Sequence, residues 1–220
     1  MAINTLIFDF DGTLVDSEMA HTLATHAFLQ SLSVGAPAGN FVGKGLLDFL
    51  QALKATHPSL PHTIEELVER FEDAFMKIAP NHVHPYPKTI ALAKQAKERG
   101  YTIAIASGSH LTLLKKVSKL FGIDTIFGDA YYSSEDDPAG KPSPDLFLRV
   151  AKILQVSPDK ALVLEDSYPG YMAAQNANMP VLMLPDPRFS SQHTFDNADL
   201  LFDTPHNLDI DTVFTYCETH

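Results

Sequence analysis

Asp9-Phe10-Asp11-Gly12-Thr13 stands at the end of a short apolar run, Leu6-Ile7-Phe8, of the kind that forms a buried parallel strand. Two carboxylates one residue apart are awkward in a core. A strand that ends at Asp9 and turns at Gly12 can present one as a nucleophile and let the other swing round as a proton donor. Other polar groups also follow apolar runs. Ser107-Gly108-Ser109 follows Ala104-Ile105-Ala106, and Glu165-Asp166-Ser167 follows Leu162-Val163-Leu164. Lys141 lies in Gly140-Lys141-Pro142-Ser143-Pro144-Asp145, where glycine and prolines can hold an ammonium in place.

If these strands are neighbours in a parallel sheet, the groups converge on one rim, where open α/β sheets bind ligands. Asp9, Asp11, Glu165 and Asp166 would then repel one another. A hard divalent cation relieves this, and magnesium suits the inventory because it takes one or two carboxylates and leaves room for water and substrate phosphate. Lys141 supplies a second positive charge. Ser107 and the backbone N–H groups around Gly108 can donate to phosphate oxygens as a preorganised clamp.

The balance of 16 Lys and Arg against 27 Asp and Glu, a net charge of −11, gives no electrostatic footprint for nucleic acid or an anionic membrane surface. An anionic substrate must be drawn by local cations. No apolar stretch approaches the roughly 18 residues of a transmembrane helix, and the apolar start is too short for a signal peptide, so the expectation is a cytoplasmic protein, with a monomer as default. Cys217 is the one cysteine, which excludes an intrachain disulfide and a thiolate metal cluster. The ten histidines, His82 and His84 among them, show no zinc spacing. Glu135-Asp136-Asp137 reads as a solvated loop.

The elements needed to position these groups are legible as an alternation. Helices are expected from Ser17 to about Leu29, from Leu46 to Lys54, and from Thr63, where Thr63-Ile64-Glu65-Glu66 has capping-box spacing, to about Ile78. From residue 83 onward, helices at 89–99, 111–121, 145–154 and 170–178 alternate with strands at 101–106, 130–132, 161–164 and 181–184. The fold class is therefore α/β, a doubly wound, mostly parallel sheet with a small α-helical domain. Residues 1–16 and 83–220 are expected to form the Rossmann-like core, and residues 17–82 a helical cap inserted after the first strand. In the cap, Lys44 and His21 are the candidate substrate contacts, His21 because it falls about one helical turn after Ser17.

DFDGTLVDSE at 9–18, Ala106-Ser107-Gly108-Ser109, GKPSPD at 140–145 and LEDS at 164–167 follow one another in order over nearly the whole chain. In this the sequence resembles the haloacid dehalogenase-like hydrolases, in their phosphatase and phosphomutase branch with a helical cap after the first motif. The resemblance implies that Asp9 is the nucleophile forming a phosphoaspartate and that Asp11 is the general acid/base. It implies that Ser107 and Lys141 hold the phosphoryl group, and that Asp9, the main-chain carbonyl of Asp11 and Asp166 ligate magnesium, with Glu165 a more remote or water-mediated ligand. Asp11 argues for phosphate over halide chemistry, because expelled halide needs no proton. Sugar-phosphate mutases commonly carry a basic residue about three positions after a cap glycine. Here Gly43 is followed by Lys44, Gly45 and Leu46, so hydrolysis of a small phosphorylated metabolite is expected ahead of a β-phosphoglucomutase type of transfer. A non-catalytic phospho-aspartate module is disfavoured by the order of the acidic residues.

Overall fold

Leu6, Ile7 and Phe8 are fully buried, as a strand covered on both faces must be. They belong to β1 (Thr5–Phe8), the central strand of a sheet in the computed structural model, which describes residues 2–37, 45–188 and 194–220. The other strands are β4 (Thr102–Ser107), β5 (Tyr131–Ser133), β6 (Ala161–Glu165), β7 (Val181–Met183) and β8 (Leu200–Leu201). The order is β5-β4-β1-β6-β7-β8, and every pairing is parallel. Ile7 pairs with Ala104 on one side and Val163 on the other. The chain therefore builds outward from β1 in both directions, and the carboxyl ends of β1, β4 and β6 meet at the switch point.

Alternation along the strands sorts their side chains between two cores. Leu6, Phe8, Ile105 and Leu164 face one layer, closed by α4 (Pro87–Glu98), α5 (Leu111–Leu120) and α9 (Ile210–Thr219). Ile7, Ala104, Ala106 and Val163 face the other, closed by α7 (Asp145–Leu154) and α8 (Tyr168–Asn176). A short α6 (Asp124–Phe127) follows α5.

Between β2 (Val15–Asp16) and β3 (His84–Pro85), which pair antiparallel, the chain runs through α1 (Glu18–Leu32), α2 (Leu46–Thr56) and α3 (Ile64–His82). The β2–β3 ribbon joins the chain where it leaves the sheet to where it returns. Phe28 on α1 meets Phe71 on α3 edge to face at 5.7 Å. The Thr63 capping box forms in full: Glu66 N–H donates to Thr63 Oγ1 at 3.2 Å, and Thr63 N–H donates to Glu66 Oε2 at 2.9 Å. α3 runs past the expected end near Ile78, to His82, and carries Pro80 in its last turn. Asn178, after α8, takes φ of 54°, a left-handed conformation that asparagine tolerates.

Candidate active site

Asp9 leaves β1 with its N–H donating to Leu164 O at 2.9 Å, so the backbone ladder fixes the start of the loop. The loop then closes tightly. Gly12 has φ of 80° and donates its N–H to Val15 O at 2.8 Å. A Cβ there would run into the Asp166 carboxylate, so glycine is required both by the turn and by the approach of the neighbouring acid.

Asp9 is 6 % exposed and accepts from Lys141 Nζ at 2.6 Å. Lys141 also contacts Glu165 Oε1 and lies 3.4 Å from Ala106 O. Burial favours the neutral amine, but the charges and hydrogen bonds of Asp9 and Glu165 outweigh it and raise the Lys141 pKa. Glu165 is fully buried, and its other oxygen accepts from Asp166 N–H and Ser167 N–H, both at 3.2 Å, and from Ser167 Oγ at 3.0 Å. Gly170 lets α8 pack against that carboxylate, which an added Cβ would strike. Both Glu165 oxygens thus already face donors that hold Lys141 and the loop after β6.

Asp11 is held from two directions. Oδ1 accepts from Ser17 Oγ at 2.5 Å and lies 3.2 Å from His21 Nε2, both from the start of the helical insertion. Oδ2 accepts from Ser109 Oγ at 2.6 Å, from the loop after β4. Burial pushes the Asp11 pKa up, but His21, by hydrogen bond and charge, and the two serine hydroxyls outweigh burial and leave it at about 2. The His21 pKa is raised in turn: burial disfavours its charge, and the contact with Asp11 overcomes that. Its ring packs 4.6 Å from that of Phe75.

Ser107 ends β4, is 1 % exposed, and accepts from Ser109 N–H at 3.1 Å. It lines, with Gly108, Lys141, Asp9 and Asp166, a cavity of about 470 Å³ between the sheet rim and the helical insertion. The structure therefore brings together Asp9, Asp11, Ser107, Gly108, Lys141, Glu165, Asp166 and His21. Lys44 lies outside the described residues.

Asp9, Glu165 and Asp166 each offer an oxygen within 4.8 Å of the others. Burial raises the pKa of Asp9 well above normal, with Lys141 opposing and Glu165 and Asp11 adding to the rise. Burial also raises that of Asp166, reinforced by Glu165 and Asp9. Three close carboxylates with one ammonium leave negative charge uncompensated in a buried site, and an oxygen-only donor set of this kind fits a hard divalent cation.

Sequence reasoning missed the roles of Ser17 and Ser109. Ser17 occupies the N-cap of α1 but makes no side-chain cap bond, because its hydroxyl is committed to Asp11. Ser109 sits inside the Ser-Gly-Ser segment, whose first two residues alone are assigned from sequence. The acidic run at 135–137 is not simply solvated: Glu135 Oε2 lies 3.0 Å from His110 Nε2, and Asp137 accepts from Arg149 Nε at 2.6 Å.

The family model of haloacid dehalogenase-like hydrolases matches residues 3–178. The phosphoglycolate phosphatase of Psychrobacter arcticus is 30 % identical over 190 residues, spanning 81 % of this chain and 82 % of its own length. Hexitol phosphatase B of Escherichia coli K12 is 31 % identical over 198 residues, spanning 88 % and 89 %. The crystal structure of CbbY from Rhodobacter sphaeroides in complex with phosphate superposes with a TM-score of 0.81 at 25 % identity, covering 94 % of this chain and 96 % of that one. The rim of carboxylates, serine and lysine on a parallel sheet, together with these likenesses, places the chain in the haloacid dehalogenase-like hydrolase family, alongside its phosphatases.

Proposed function

We propose that this phosphoric monoester hydrolase cleaves a small phosphorylated metabolite, a sugar phosphate or similar, through a phosphoaspartate on Asp9. The observation that carries the reading is the placement of Asp9 against Lys141 at 2.6 Å, with Asp11 held beside it by Ser17, Ser109 and His21. A carboxylate oxygen of Asp9 attacks phosphorus, the bond to the leaving oxygen breaks, and Asp11 gives that oxygen a proton. Asp11 then takes a proton from water as the water attacks phosphorus, releasing inorganic phosphate and free Asp9. With a pKa of about 2, Asp11 rests ionised, so its acid role requires that the entering phosphoryl charge raise its proton affinity.

Lys141, Ser107 and the N–H groups around Gly108 hold the phosphoryl oxygens. Asp9, Asp166 and the main-chain carbonyl of Asp11 are the residues that would hold magnesium, which supplies positive charge against those oxygens. We assign Glu165 to positioning, since its oxygens engage Lys141 and the Asp166 loop. Residues 17–82 act as a cap that excludes bulk water over a core of 1–16 and 83–220.

The test is phosphate release from a panel of phosphorylated metabolites, with magnesium and with chelator, alongside Asp9→Asn. Magnesium-dependent turnover lost in a folded Asp9→Asn protein supports the reading. Wild-type rates in that variant would refute the nucleophile. Turnover only in the presence of a sugar bisphosphate activator would favour a phosphomutase.

A further inference from the structure

Ser109 is engaged at each of its polar groups. Its N–H donates to Ser107 Oγ at 3.1 Å, its carbonyl accepts from Ser133 Oγ at 2.8 Å, and its hydroxyl donates to Asp11 Oδ2 at 2.6 Å. The other Asp11 oxygen faces Ser17 and His21 of the helical insertion. A planar carboxyl group pinned at both oxygens has a fixed plane, so a shift of Ser109 turns the group that must deliver the proton. Such alignment matters to proton transfer, where a misplacement of about 1 Å can cost about 10²-fold.

The residue after Ser109 joins it to the insertion. His110 Nδ1 lies 2.7 Å from Glu72 Oε1 on α3, and its Nε2 lies 3.0 Å from Glu135 Oε2 in the turn after β5. Glu135 N–H donates to Ser133 Oγ at 3.2 Å, so the turn that meets His110 is bonded to the hydroxyl that braces Ser109. Glu72 is 2 % exposed, and its second oxygen accepts from Lys116 Nζ at 2.8 Å. Buried ion pairs gain little stability over apolar packing; what this one fixes is the place of the loop. His110 lines the 470 Å³ cavity, and Glu72 is not among the described residues that line it.

We propose that His110 and Glu72 are positioning residues for the general acid: by fixing the loop at 107–111 against α3, they keep the Ser109 hydroxyl on Asp11 and align its proton with the leaving oxygen. The inference rests on the phosphatase reading and adds to it residues that act through Ser109.

The test varies the leaving group. The full chain with magnesium is assayed on para-nitrophenyl phosphate, whose leaving phenolate is stable without a proton, and on benzyl phosphate, whose alkoxide is not. The ratio of kcat/KM between the two esters is independent of the folded fraction, so instability of a variant does not move it. In His110→Ala, kcat/KM is expected to fall about tenfold or more on benzyl phosphate and about twofold or less on para-nitrophenyl phosphate. Glu72→Ala should show the same selective loss, and the double variant no more than His110→Ala alone. His110→Asn, which returns a nitrogen donor toward Glu72, should recover part of the loss. Equal losses on the two esters, or none, overturn the inference and leave the phosphatase reading intact. So does a selective loss in His110→Ala that Glu72→Ala does not share, which would make His110 a direct contact of the leaving group. A wild-type protein that hydrolyses neither these esters nor any phosphorylated metabolite overturns both.

Discussion

Glu72 Oε1 on α3 lies 2.7 Å from His110 Nδ1 at the start of α5, which ties the helical insertion to the loop that carries Ser107 and Ser109. Lys116 Nζ donates to the other Glu72 oxygen at 2.8 Å, and Glu72 is 2 % exposed. The same loop is braced from behind, where Ser133 Oγ donates to Ser109 O at 2.8 Å. The position of α3 and the position of the Asp11 partner Ser109 are thus set through adjacent residues.

Glu72→Ala is expected to destabilise the protein, because it leaves Lys116 and His110 facing a gap once filled by a buried carboxylate. Removing one member of a buried pair costs about 3–5 kcal/mol, and the Lys116 side chain, 42 % exposed, can turn to water, so the lower end applies. Urea denaturation gives the value, and Glu72→Gln, which keeps shape and part of the hydrogen bonding, should fall between the two proteins. An unchanged midpoint in Glu72→Ala would show that this contact does not hold the insertion to the sheet.

α7 was legible to the residue, since Leu146, Phe147, Val150 and Ala151 place one apolar stripe on a ten-residue helix. The Thr63 box was legible for a similar reason: its donors and acceptors lie within three residues of each other. β8 was not. It has two residues, sits at the sheet edge, and leaves Leu201 54 % exposed, so it carries neither alternation nor an apolar run. The site divides in the same way. Strand ends marked Asp9, Ser107 and Glu165, but the clamp on Asp11 joins residues 98 apart, and nothing local to Ser109 reveals its acceptor. At Ser17 a local preference and a distant acceptor compete for one hydroxyl, and only the fold shows which prevails.

His21→Ala is expected to raise the Asp11 pKa from about 2 by about one unit, since the variant removes both the hydrogen bond and the charge of His21 while the serines remain. Carboxyl carbon shifts followed through an acid titration give this directly. The sign for stability follows from the depressed value. Asp11 stabilises the fold above its unfolded pKa of 3.8, and that contribution is lost as pH falls toward 2. The variant should therefore lose part of this contribution in the plateau above pH 4 and show a weaker dependence on acid below it. An Asp11 titration identical in the two proteins would assign the depression to Ser17 and Ser109 alone.

Asp9 and Asp166 have the opposite sign, and this links pH to the metal. Their folded pKa values are raised by burial, reinforced by neighbouring carboxylates, so without a cation their contribution to stability is complete below 3.8 and is lost as pH rises through the folded values. A divalent cation holding the ionised carboxylates reverses this loss. Magnesium at a hundredfold its dissociation constant should add about 2.7 kcal/mol, which for a chain of this size is a rise of roughly 5–10 °C in Tm. The rise should be larger at neutral pH than at pH 4.5, where protons compete for the same oxygens. Asp166→Asn should abolish most of it while making the metal-free protein more stable, because one buried negative charge is gone. If magnesium shifts Asp166→Asn as much as wild type, Asp166 is not a ligand, and the excess charge beside Gly12 must be balanced by other means.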